Sequence, residues 1–319
     1  MPELPEVETM RRGILGAVGG KVVLVENIRC PKKPITILPS VVNIRRSIVG
    51  STISAIERIG KRVVVVLQDK DNPSQAVNQR KLASKKYLIF EPRMTGLVLV
   101  ANPPSAEHIR FRMKIGGGDV SEICFWDRRG LGSVQLLDHA KLQDKLGPGK
   151  IGADALSITT DNFFHQFHSS RREIKVALLD QKCVAGVGNI YASEMLHAAK
   201  INPQQKCSDL KRRQFNRLHH WMLSILNDAI EHEGSTLADG TYRNVLNRDG
   251  SYQNSHRVYN RESENCSSCN RSPVIRIVQS QRATFYCKRC QPLKSGWEWS
   301  HRLPTKNQHR PGSSVSKRR

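Results

Sequence analysis

The sequence predicts an α+β protein of several domains, because three kinds of pattern follow one another along its 319 residues. Short β-rich segments separated by turn residues recur from residue 21 to 137, and apolar residues at helical spacing follow beyond residue 147. Two Cys-x-x-Cys pairs come last. We therefore expect an N-terminal helix with a β-sandwich over 1–146, a helical domain over 147–260, a metal-binding hairpin over 261–292 and a basic, disordered tail over 293–319.

The first element is a helix near the N-terminus. Pro2 and Pro5 can start it, and acidic side chains in its first turn favour the positive end of the helix dipole. Val7, Met10 and Ile14 then form an apolar stripe. On this interpretation the segment is structural.

A second interpretation of the same segment is chemical. Removal of Met1 would expose the secondary amine of Pro2 beside the carboxyl of Glu3. A terminal amine has a pKa of about 7.7 to 8, against about 10.4 for lysine, so more of it is free to attack carbon at neutral pH. A secondary amine that condenses with a sugar carbon forms a cationic iminium, which acidifies the neighbouring C–H bonds and favours elimination. The local sequence leaves both interpretations open.

The β-rich region predicts an antiparallel sandwich or barrel, because its segments are short, apolar and separated by turn residues. A polar stretch from Asp69 to Lys85 is expected to be a long hairpin loop. The predicted strands are Val22–Ile28, Ile48–Ile56, Arg62–Leu67, Tyr87–Glu91, Leu97–Val100, Ile109–Ile115, Glu122–Trp126 and Ser133–Leu137.

The helical region contains a glycine-rich turn, Val184 to Asn189, between two of its helices. Its glycines permit tight turns and leave backbone N–H groups open to a phosphate, to which Asn189 could add a side-chain donor. A turn of this kind is usually only a turn. The predicted helices are Asp161–Phe167, Ile174–Leu179, Ile190–Ala199 and Leu210–Glu231.

Four cysteines predict a zinc ribbon: Cys266 and Cys269 form one pair, Cys287 and Cys290 the other, with seventeen residues between the pairs. Two short knuckles can supply four thiolates to a tetrahedral ion, while strands at residues 274–278 and 284–286 form a hairpin. Four thiolates leave no open position, so the metal is expected to be structural and to hold Arg282 near the hairpin tip. The other cysteines are scattered singly, as reduced thiols usually are.

The charge balance indicates a polyanionic partner. The chain has 51 Lys and Arg against 28 Asp and Glu, a formal net charge of +23. Only 6% of residues are aromatic, which favours phosphate contacts on a duplex over base stacking on single strands. No apolar stretch approaches the roughly 20 residues that span a bilayer, and the acidic N-terminus is unlike a secretory signal. We expect a cytoplasmic, DNA-binding monomer with no membrane contact.

Three separated motifs occur in one order that resembles the formamidopyrimidine-DNA glycosylases, over about residues 2–291. The resemblance implies an N-terminal helix on a β-sandwich, a helix-two-turn-helix domain and a C-terminal zinc finger. The motifs are Pro2-Glu3-Leu4-Pro5-Glu6-Val7-Glu8-Thr9, Gly186-Val187-Gly188-Asn189-Ile190-Tyr191-Ala192-Ser193-Glu194 and Gln281-Arg282-Ala283-Thr284-Phe285-Tyr286-Cys287.

The resemblance implies a base-excision repair enzyme that is both a DNA glycosylase and an abasic-site lyase. It would act on 8-oxoguanine and formamidopyrimidines in duplex DNA and cut the strand by β,δ-elimination. Pro2 would attack C1′, and Glu3 would be the general acid/base that helps open the sugar ring. Lys61 matches a phosphate-contacting proton donor, Arg282 the phosphate-clamping finger arginine, and Glu6 a supporting carboxylate. Without the resemblance, Lys61 is an ordinary solvated lysine at a strand end.

Further positions match DNA-contacting residues of the family. Met94, Arg129 and Leu131 match residues that fill the gap left by an extruded nucleotide and read the orphan base, and Leu131 stands where Phe is common. His108 lies two residues after Ala106, which occupies the position of a family histidine. The remaining candidates for phosphate contacts are Arg171, Lys175 and Asn189; for the two cations the alternative is a solvated basic helix end.

Three other functions remain. An endonuclease VIII-like enzyme uses the same terminal proline on oxidised pyrimidines, although Leu4 stands where such relatives usually have Gly. A catalytically silent zinc protein that binds DNA is disfavoured by the joint presence of Pro2, Glu3, Lys61 and Arg282. A ribosomal or RNA-binding zinc protein would explain the charge but not the Pro2-Glu3 pair.

Overall fold

One helix joins the two halves of the molecule. The structure, a computed structural model, describes residues 2–30, 33–68, 85–100 and 102–293. Helix α1 (Leu4–Gly13) begins where the backbone N–H of Glu3 donates to the Glu6 carboxylate, 2.8 Å away. Its first residue, Leu4, packs in the core of the helical half, whereas Val7 and Met10 pack in the core of the sheet. The N-terminal end of α1 therefore lies at the junction of two cores.

The sheet has nine strands in the order β2-β9-β5-β4-β3-β1-β7-β8-β6. Its strands share one apolar core with α1. Buried residues alternate along parts of β1 and β7, whereas β4, β5, β6 and β8 have continuous buried runs. The expected β-sandwich of mainly antiparallel strands is confirmed, and the pairing of β2 with β9 is parallel. The strands are β1 (Lys21–Asn27), β2 (Thr36–Leu38), β3 (Thr52–Ile59), β4 (Arg62–Gln68), β5 (Lys85–Glu91), β6 (Gly96–Leu99), β7 (Ile109–Gly116), β8 (Glu122–Asp127) and β9 (Ser133–Asp138).

The predicted strand over residues 48–56 is wrong at its beginning, because a helix, α2 (Val41–Ile48), ends there. The Ser40 hydroxyl accepts the N–H of Asn43, and Ile44 and Ile48 bury one face of this helix at a spacing of four residues. Strand β3 begins only at Thr52.

A further helix, α3 (His139–Leu146), was not expected from the sequence. Asp138 caps it by accepting the N–H of Lys141 at 2.8 Å, and its apolar residues pack on the outer face of β4 and β5. The expected loop from residue 69 lies, up to residue 84, outside the described residues, as does the tail beyond residue 293.

The second half is helical, as predicted. Phenylalanines and aliphatic residues of α4 (Thr160–Phe167), α5 (Ile174–Leu178), α6 (Asn189–Ala198) and α7 (Arg212–Glu231) share one core. Two short parallel strands, β10 (Ala153–Asp154) and β11 (Val184–Ala185), lie at its border with the sheet. Within the described ranges, no helix is long and apolar enough to cross a membrane.

The C-terminal hairpin pairs β12 (Val274–Gln279) with β13 (Arg282–Cys287) in register. Ser280 and Gln281 both have positive φ, as a two-residue turn between twisted strands requires. Arg282 pairs with Gln279 directly after this turn, so its expected place near the hairpin tip is confirmed. The domain limits at residues 146, 260 and 292 stay predictions.

Candidate active site

Glu3 lies in the contact between α1 and the beginning of α6. Its buried carboxylate accepts the N–H of Ile190 at 3.0 Å and that of Tyr191 at 3.4 Å. Gly188 permits this approach, because a Cβ there would lie 2.1 Å from the Glu3 Cδ. The free amides and the dipole at a helix N-terminus stabilise a negative charge. In this structure, amides at the end of the glycine-rich turn hold a carboxylate of the chain itself, where the sequence suggested a phosphate.

The electrostatic surroundings of Glu3 favour retention of a proton. Burial raises the pKa of the Glu3 carboxyl, the charge of Lys61 opposes the shift, and the charge of Glu6 adds to it. A carboxyl with a raised pKa can act as a general acid nearer to neutral pH than an ordinary glutamate can.

Lys61 is placed by the tight turn between β3 and β4. Gly60 has a φ of +57°, and the turn leaves only Gly60 and Lys61 between the paired residues Ile59 and Arg62. Burial lowers the pKa of Lys61, the charge of Glu3 opposes the shift, and Arg282 adds to it. The sheet, α1 and the C-terminal hairpin thus bring their candidate catalytic residues within electrostatic reach of one another.

Glu6 is surrounded by hydrogen-bond donors. Besides the N–H of Glu3, its carboxylate accepts the Tyr191 hydroxyl at 2.5 Å and the Ser235 N–H at 2.9 Å. The Ser235 hydroxyl in turn lies 3.1 Å from Nε2 of His256. His256 lines a cavity of about 350 Å³ beside this network. Glu6 therefore fixes the backbone immediately after Pro2 and connects it to a cavity of the helical half.

Lys175 and Asn189 join the helices to the hairpin. The Lys175 Nζ donates to Asn189 Oδ1 at 2.6 Å, to Thr284 Oγ1 at 2.7 Å and to the Ala283 carbonyl at 3.1 Å. Asn189 Nδ2 donates to the same carbonyl at 2.9 Å. Burial lowers the pKa of Lys175 to about 8. In this conformation Lys175 is a buried link next to Arg282 rather than a solvated helix end, and a phosphate contact would require it to release a partner.

Arg282 itself is exposed. Its neighbours Ala283 and Thr284 are held by the Lys175 contacts, so the backbone that carries it is fixed while its guanidinium faces solvent. Arg171, just before α5, is also exposed. Exposed guanidinium groups are suited to phosphate oxygens.

The three candidates for filling a gap in the duplex lie on two adjacent loops. Met94 is 37% exposed in the β5–β6 loop, and Leu131 is 42% exposed in the β8–β9 loop, which also carries the exposed Arg129. Exposed apolar side chains of this size are available to a partner. The structure thus brings the three predicted residues to one end of the sheet.

Two residues that the sequence did not single out hold these loops together. The buried carboxylate of Asp127 accepts the Thr95 hydroxyl at 2.5 Å, the N–H of Arg129 at 3.1 Å and the N–H of Gly132 at 2.7 Å. Thr95 lies directly after Met94. An Asp at a strand end before a glycine-containing loop was the only signal in the sequence.

His108 is less available than the other candidates. Its ring packs edge-on against Trp126, and its Nε2 lies 3.2 Å from the Glu107 carboxylate. Its Nδ1 is buried without a hydrogen-bond partner in the described part of the chain. The expected DNA contact of His108 stays a prediction.

A second group that the sequence did not reveal is an ion-pair network centred on Arg58. This guanidinium binds both oxygens of Asp154, at 2.5 and 2.9 Å, and the Glu8 carboxylate at 3.0 Å. It also donates to the Gly60 carbonyl at 3.0 Å. Arg58 therefore ties α1 and β10 to the turn that carries Lys61, in the bidentate geometry that suits arginine.

The four predicted metal ligands converge. The Sγ atoms of Cys266, Cys269, Cys287 and Cys290 all lie within 4.8 Å of one another. Cys266 and Cys290 are 3.8 Å apart, as are Cys269 and Cys287. A tetrahedral ion with zinc–sulfur bonds of about 2.3 Å has sulfur–sulfur edges of about 3.8 Å, so the cluster fits such an ion.

The chain is similar along most of its length to known proteins. Family models described as the formamidopyrimidine-DNA glycosylase N-terminal domain and H2TH domain match residues 1–134 and 151–240. A formamidopyrimidine-DNA glycosylase of Streptococcus mutans is 34% identical over 293 residues, which cover 91% of this chain and 99% of the relative. A formamidopyrimidine-DNA glycosylase of Chloroflexus aurantiacus is also 34% identical, and the match covers 91% of this chain and 98% of that relative.

Solved structures agree with these matches. The MutM (Fpg) protein of Thermus thermophilus superposes with a TM-score of 0.75 at 30% identity, covering 92% of this chain and all of that one. A Lactococcus lactis FPG mutant in complex with Fapy-dG-containing DNA has a TM-score of 0.75 at 30% identity, and the match covers 91% of this chain and all of that one. The Lactococcus lactis Fpg in complex with abasic-site DNA has a TM-score of 0.74 at 29% identity, and the match covers 91% of this chain and 99% of that one.

Proposed function

The chain belongs to the formamidopyrimidine-DNA glycosylase family, and we propose that it excises 8-oxoguanine and formamidopyrimidines from duplex DNA and cuts the strand by β,δ-elimination. Solved relatives are described with DNA that contains Fapy-dG or an abasic site. The observation that carries the proposal is the place of Glu3, one residue after Pro2, in a buried amide cradle. This arrangement puts a buried carboxyl with a raised pKa beside the amine that removal of Met1 would expose.

In the first step, the lone pair of the Pro2 nitrogen forms a bond to C1′ while the bond from C1′ to the base breaks. The base leaves with that electron pair and takes up a proton. The Pro2 nitrogen then gives up its N–H proton and forms the C=N bond, while the C1′–O4′ pair moves onto O4′, which takes a proton from Glu3. This opening of the sugar ring makes the loss of the base irreversible, so excision depends on Glu3. The product is an iminium between Pro2 and C1′. The raised pKa of Glu3 supports this role, because the carboxyl must hold the proton until the ring opens.

Two eliminations follow from the iminium. Its positive charge acidifies the C2′ hydrogen, so loss of that proton expels the 3′ phosphate, and loss of the C4′ proton then expels the 5′ phosphate. Lys61 serves as a proton-transfer group and phosphate contact here. Its lowered pKa supports this role, because a larger fraction is neutral near pH 7 than for a solvated lysine.

Arg282 clamps the phosphates on either side of the lesion. The support is its exposed guanidinium on a backbone that Lys175 and Asn189 hold rigid. We assign Lys175 and Asn189 to this supporting role in the free protein. Arg171 adds a phosphate contact, and His108 one at the sheet.

Extrusion of the damaged nucleotide costs a few kcal/mol of unstacking and leaves a gap. Met94 and Leu131 fill it, and Arg129 reads the orphan cytosine. Support comes from the exposure of all three residues and from the Asp127 contacts that join their loops.

The four cysteines hold one structural zinc ion, which supplies a rigid anchor to the hairpin and no open coordination position. The net charge of +23 supports duplex DNA as the partner. We place the protein, as a monomer, in the bacterial cytoplasm, where its DNA substrate is.

A second candidate is excision of oxidised pyrimidines, as in endonuclease VIII-like enzymes. One observation favours it: a Lactococcus lactis Fpg structure at 29% identity is described as a complex with DNA that contains an oxidised pyrimidine. Parallel excision assays on 8-oxoguanine, formamidopyrimidine and oxidised-pyrimidine duplexes separate the two candidates.

Covalent trapping tests the central step. Borohydride should reduce the iminium to a stable amine and link the protein to a duplex with 8-oxoguanine opposite cytosine. The matched control is the same chain with Met1 retained, verified by mass spectrometry, which should give no adduct. Equal trapping of the two proteins would remove Pro2 from the mechanism, and no trapping of processed, zinc-loaded protein would contradict the proposal.

A further inference from the structure

His197, in the last turn of α6, touches the metal-binding cluster. Its ring is buried, with the residue 2% exposed, and Nε2 lies 3.4 Å from the Sγ of Cys266. Its Nδ1 is also buried and has no hydrogen-bond partner in the described part of the chain. Among the described residues, the one polar partner of this ring is therefore a candidate metal ligand.

Another buried histidine of the same core shows how this differs from ordinary packing. His219 uses both ring nitrogens: Nδ1 lies 3.1 Å from the Thr160 hydroxyl and Nε2 lies 2.8 Å from the Ile158 carbonyl. Burial of a polar atom without a partner destabilises the folded protein. An apolar side chain at position 197 would avoid that destabilisation. A histidine there is therefore best explained by the contact between its Nε2 and the Cys266 Sγ.

We propose that His197 donates its Nε2–H to the thiolate of Cys266 and so retains the metal in the C-terminal cluster. The inference rests on the zinc assignment of the proposed function. A metal-bound thiolate has no proton, so it can only accept a hydrogen bond. The ring proton must therefore lie on Nε2, and Nδ1 carries a lone pair without a hydrogen-bond donor. Four thiolates and one Zn²⁺ leave a net charge of −2, and an N–H donor disperses part of it.

The contact would also join the metal to the catalytic half of the molecule. Helix α6 holds Glu3 through the amides of Ile190 and Tyr191 at its beginning, and it reaches Cys266 through His197 at its end. Between them, the Glu194 carboxylate accepts three backbone N–H groups of residues 257–259, at 2.8 to 3.0 Å. His197 is thus a positioning residue on the helix that cradles Glu3, and it touches no reacting atom.

Zinc retention is the first test. Purified wild-type protein, His197→Phe, His197→Gln and the control His219→Gln are quantified for zinc and challenged with EDTA, and zinc release is followed with time. Loss of an outer-sphere partner typically weakens metal binding about 10–100-fold. We expect His197→Phe to release zinc at least about 10-fold faster. His197→Gln, whose amide Nε2 can donate from a similar place, should restore most of the retention, and His219→Gln should resemble the wild type.

Cobalt spectroscopy is the second test, because it reports on the thiolate itself. An N–H donor lowers the energy of the sulfur lone pair, so its loss should move the sulfur-to-cobalt charge-transfer band of Co²⁺-substituted His197→Phe to longer wavelength. His219→Gln should not move the band. An unchanged band together with unchanged zinc release in His197→Phe would overturn the inference.

If His197→Phe does not fold, the wild-type protein decides. In the ¹¹³Cd-loaded protein, NMR should show the His197 proton on Nε2 and a coupling between it and cadmium; a proton on Nδ1 would overturn the inference. Wild-type protein that binds no zinc would refute both the metal assignment and the role of His197. Zinc-loaded protein that excises no base would count against the proposed function alone.

Discussion

The amide cradle of Glu3 and the two loops at the end of the sheet are built in opposite ways. The carboxylates of Glu3 and Glu6 are buried, and each accepts at least two hydrogen bonds. Met94, Arg129 and Leu131 are exposed. Asp127 holds their loops through the Thr95 hydroxyl and the N–H groups of Arg129 and Gly132. The carboxylates proposed for proton transfer and its support are held directly, whereas the residues proposed to meet DNA keep their side chains free.

The cradle should therefore be the most sensitive part of the molecule. Glu3→Gln removes the proton donor but keeps the size of the side chain, so base excision should fall by about 10²–10⁴-fold. Because burial raises the pKa of Glu3, the rate of wild-type excision should decline as pH rises through that raised pKa. The rate of the Glu3→Gln variant should not show this decline. Single-turnover excision of 8-oxoguanine across pH measures both effects.

Trapping on a preformed abasic site is the control for Glu3→Gln, because the open-chain aldehyde of that substrate condenses with Pro2 without base loss or ring opening. The variant should still form a borohydride adduct there. Excision at the wild-type rate by Glu3→Gln would show that the cradle holds Glu3 for structural reasons alone.

Asp127→Asn should move the loops without touching the chemistry. The amide NH2 cannot accept, so at least one of the three donors around Asp127 loses its partner, at a cost of about 1–3 kcal/mol. We expect a lower melting temperature and weaker discrimination between cytosine and adenine opposite the lesion. The matched control is Asp119→Asn, at an exposed position. If Asp127→Asn distinguishes cytosine from adenine as well as the wild type does, the Asp127 contacts are not needed to read the opposite base.

Arg282→Ala should weaken binding while the fold stays intact, because the side chain is exposed. If about five phosphates are neutralised, the slope of log K against log salt is about −4.5, and loss of one contact reduces it by about 0.9. Arg276→Ala is the control, since Arg276 is exposed on the same hairpin but on its opposite face. Titrations at several salt concentrations measure the slopes, and equal slopes in wild type and Arg282→Ala would exclude the clamp.

The smallest effect is expected for Leu131→Phe. A larger apolar side chain fills more of the gap beside an orphan base, so discrimination between opposite bases should improve a few-fold, about 1 kcal/mol or less by analogy with one buried CH₂. Excision rates with cytosine and adenine opposite 8-oxoguanine give the ratio. A lower ratio than in the wild type would mean that the loop cannot accommodate the added volume.

Much of the architecture could be predicted because it depends on neighbours in sequence. The four-cysteine hairpin was predicted with its turn and with Arg282 beside the tip, since paired knuckles and a polar turn are local patterns. Helix α2 was missed because four of its eight residues are β-branched, which is typical of a strand, and because the burial of Ile44 and Ile48 depends on tertiary packing.

The candidate site also has residues that could be predicted from the sequence and residues that could not. The Pro2-Glu3 pair and the four cysteines could be recognised in the sequence. The burial of Lys175 could not, because its partners Ala283 and Thr284 lie more than a hundred residues away. Arg58 and His197 carried no recognisable signal either, because their partners Asp154 and Cys266 lie 96 and 69 residues away. Asp127 showed only its place at a strand end before a glycine-containing loop.

The sequence alone determined the order of the structural units, the family and the residue types for amine chemistry and metal binding, because periodicity and motif spacing act over a few residues. Tertiary structure alone decided what each residue faces. The Glu3 carboxylate and the Ile190 amide are 187 positions apart, and only the packing of α1 against α6 makes them partners. Burial at that contact raises the pKa of Glu3, because water no longer solvates its charge, and so turns an ordinary glutamate into a candidate acid.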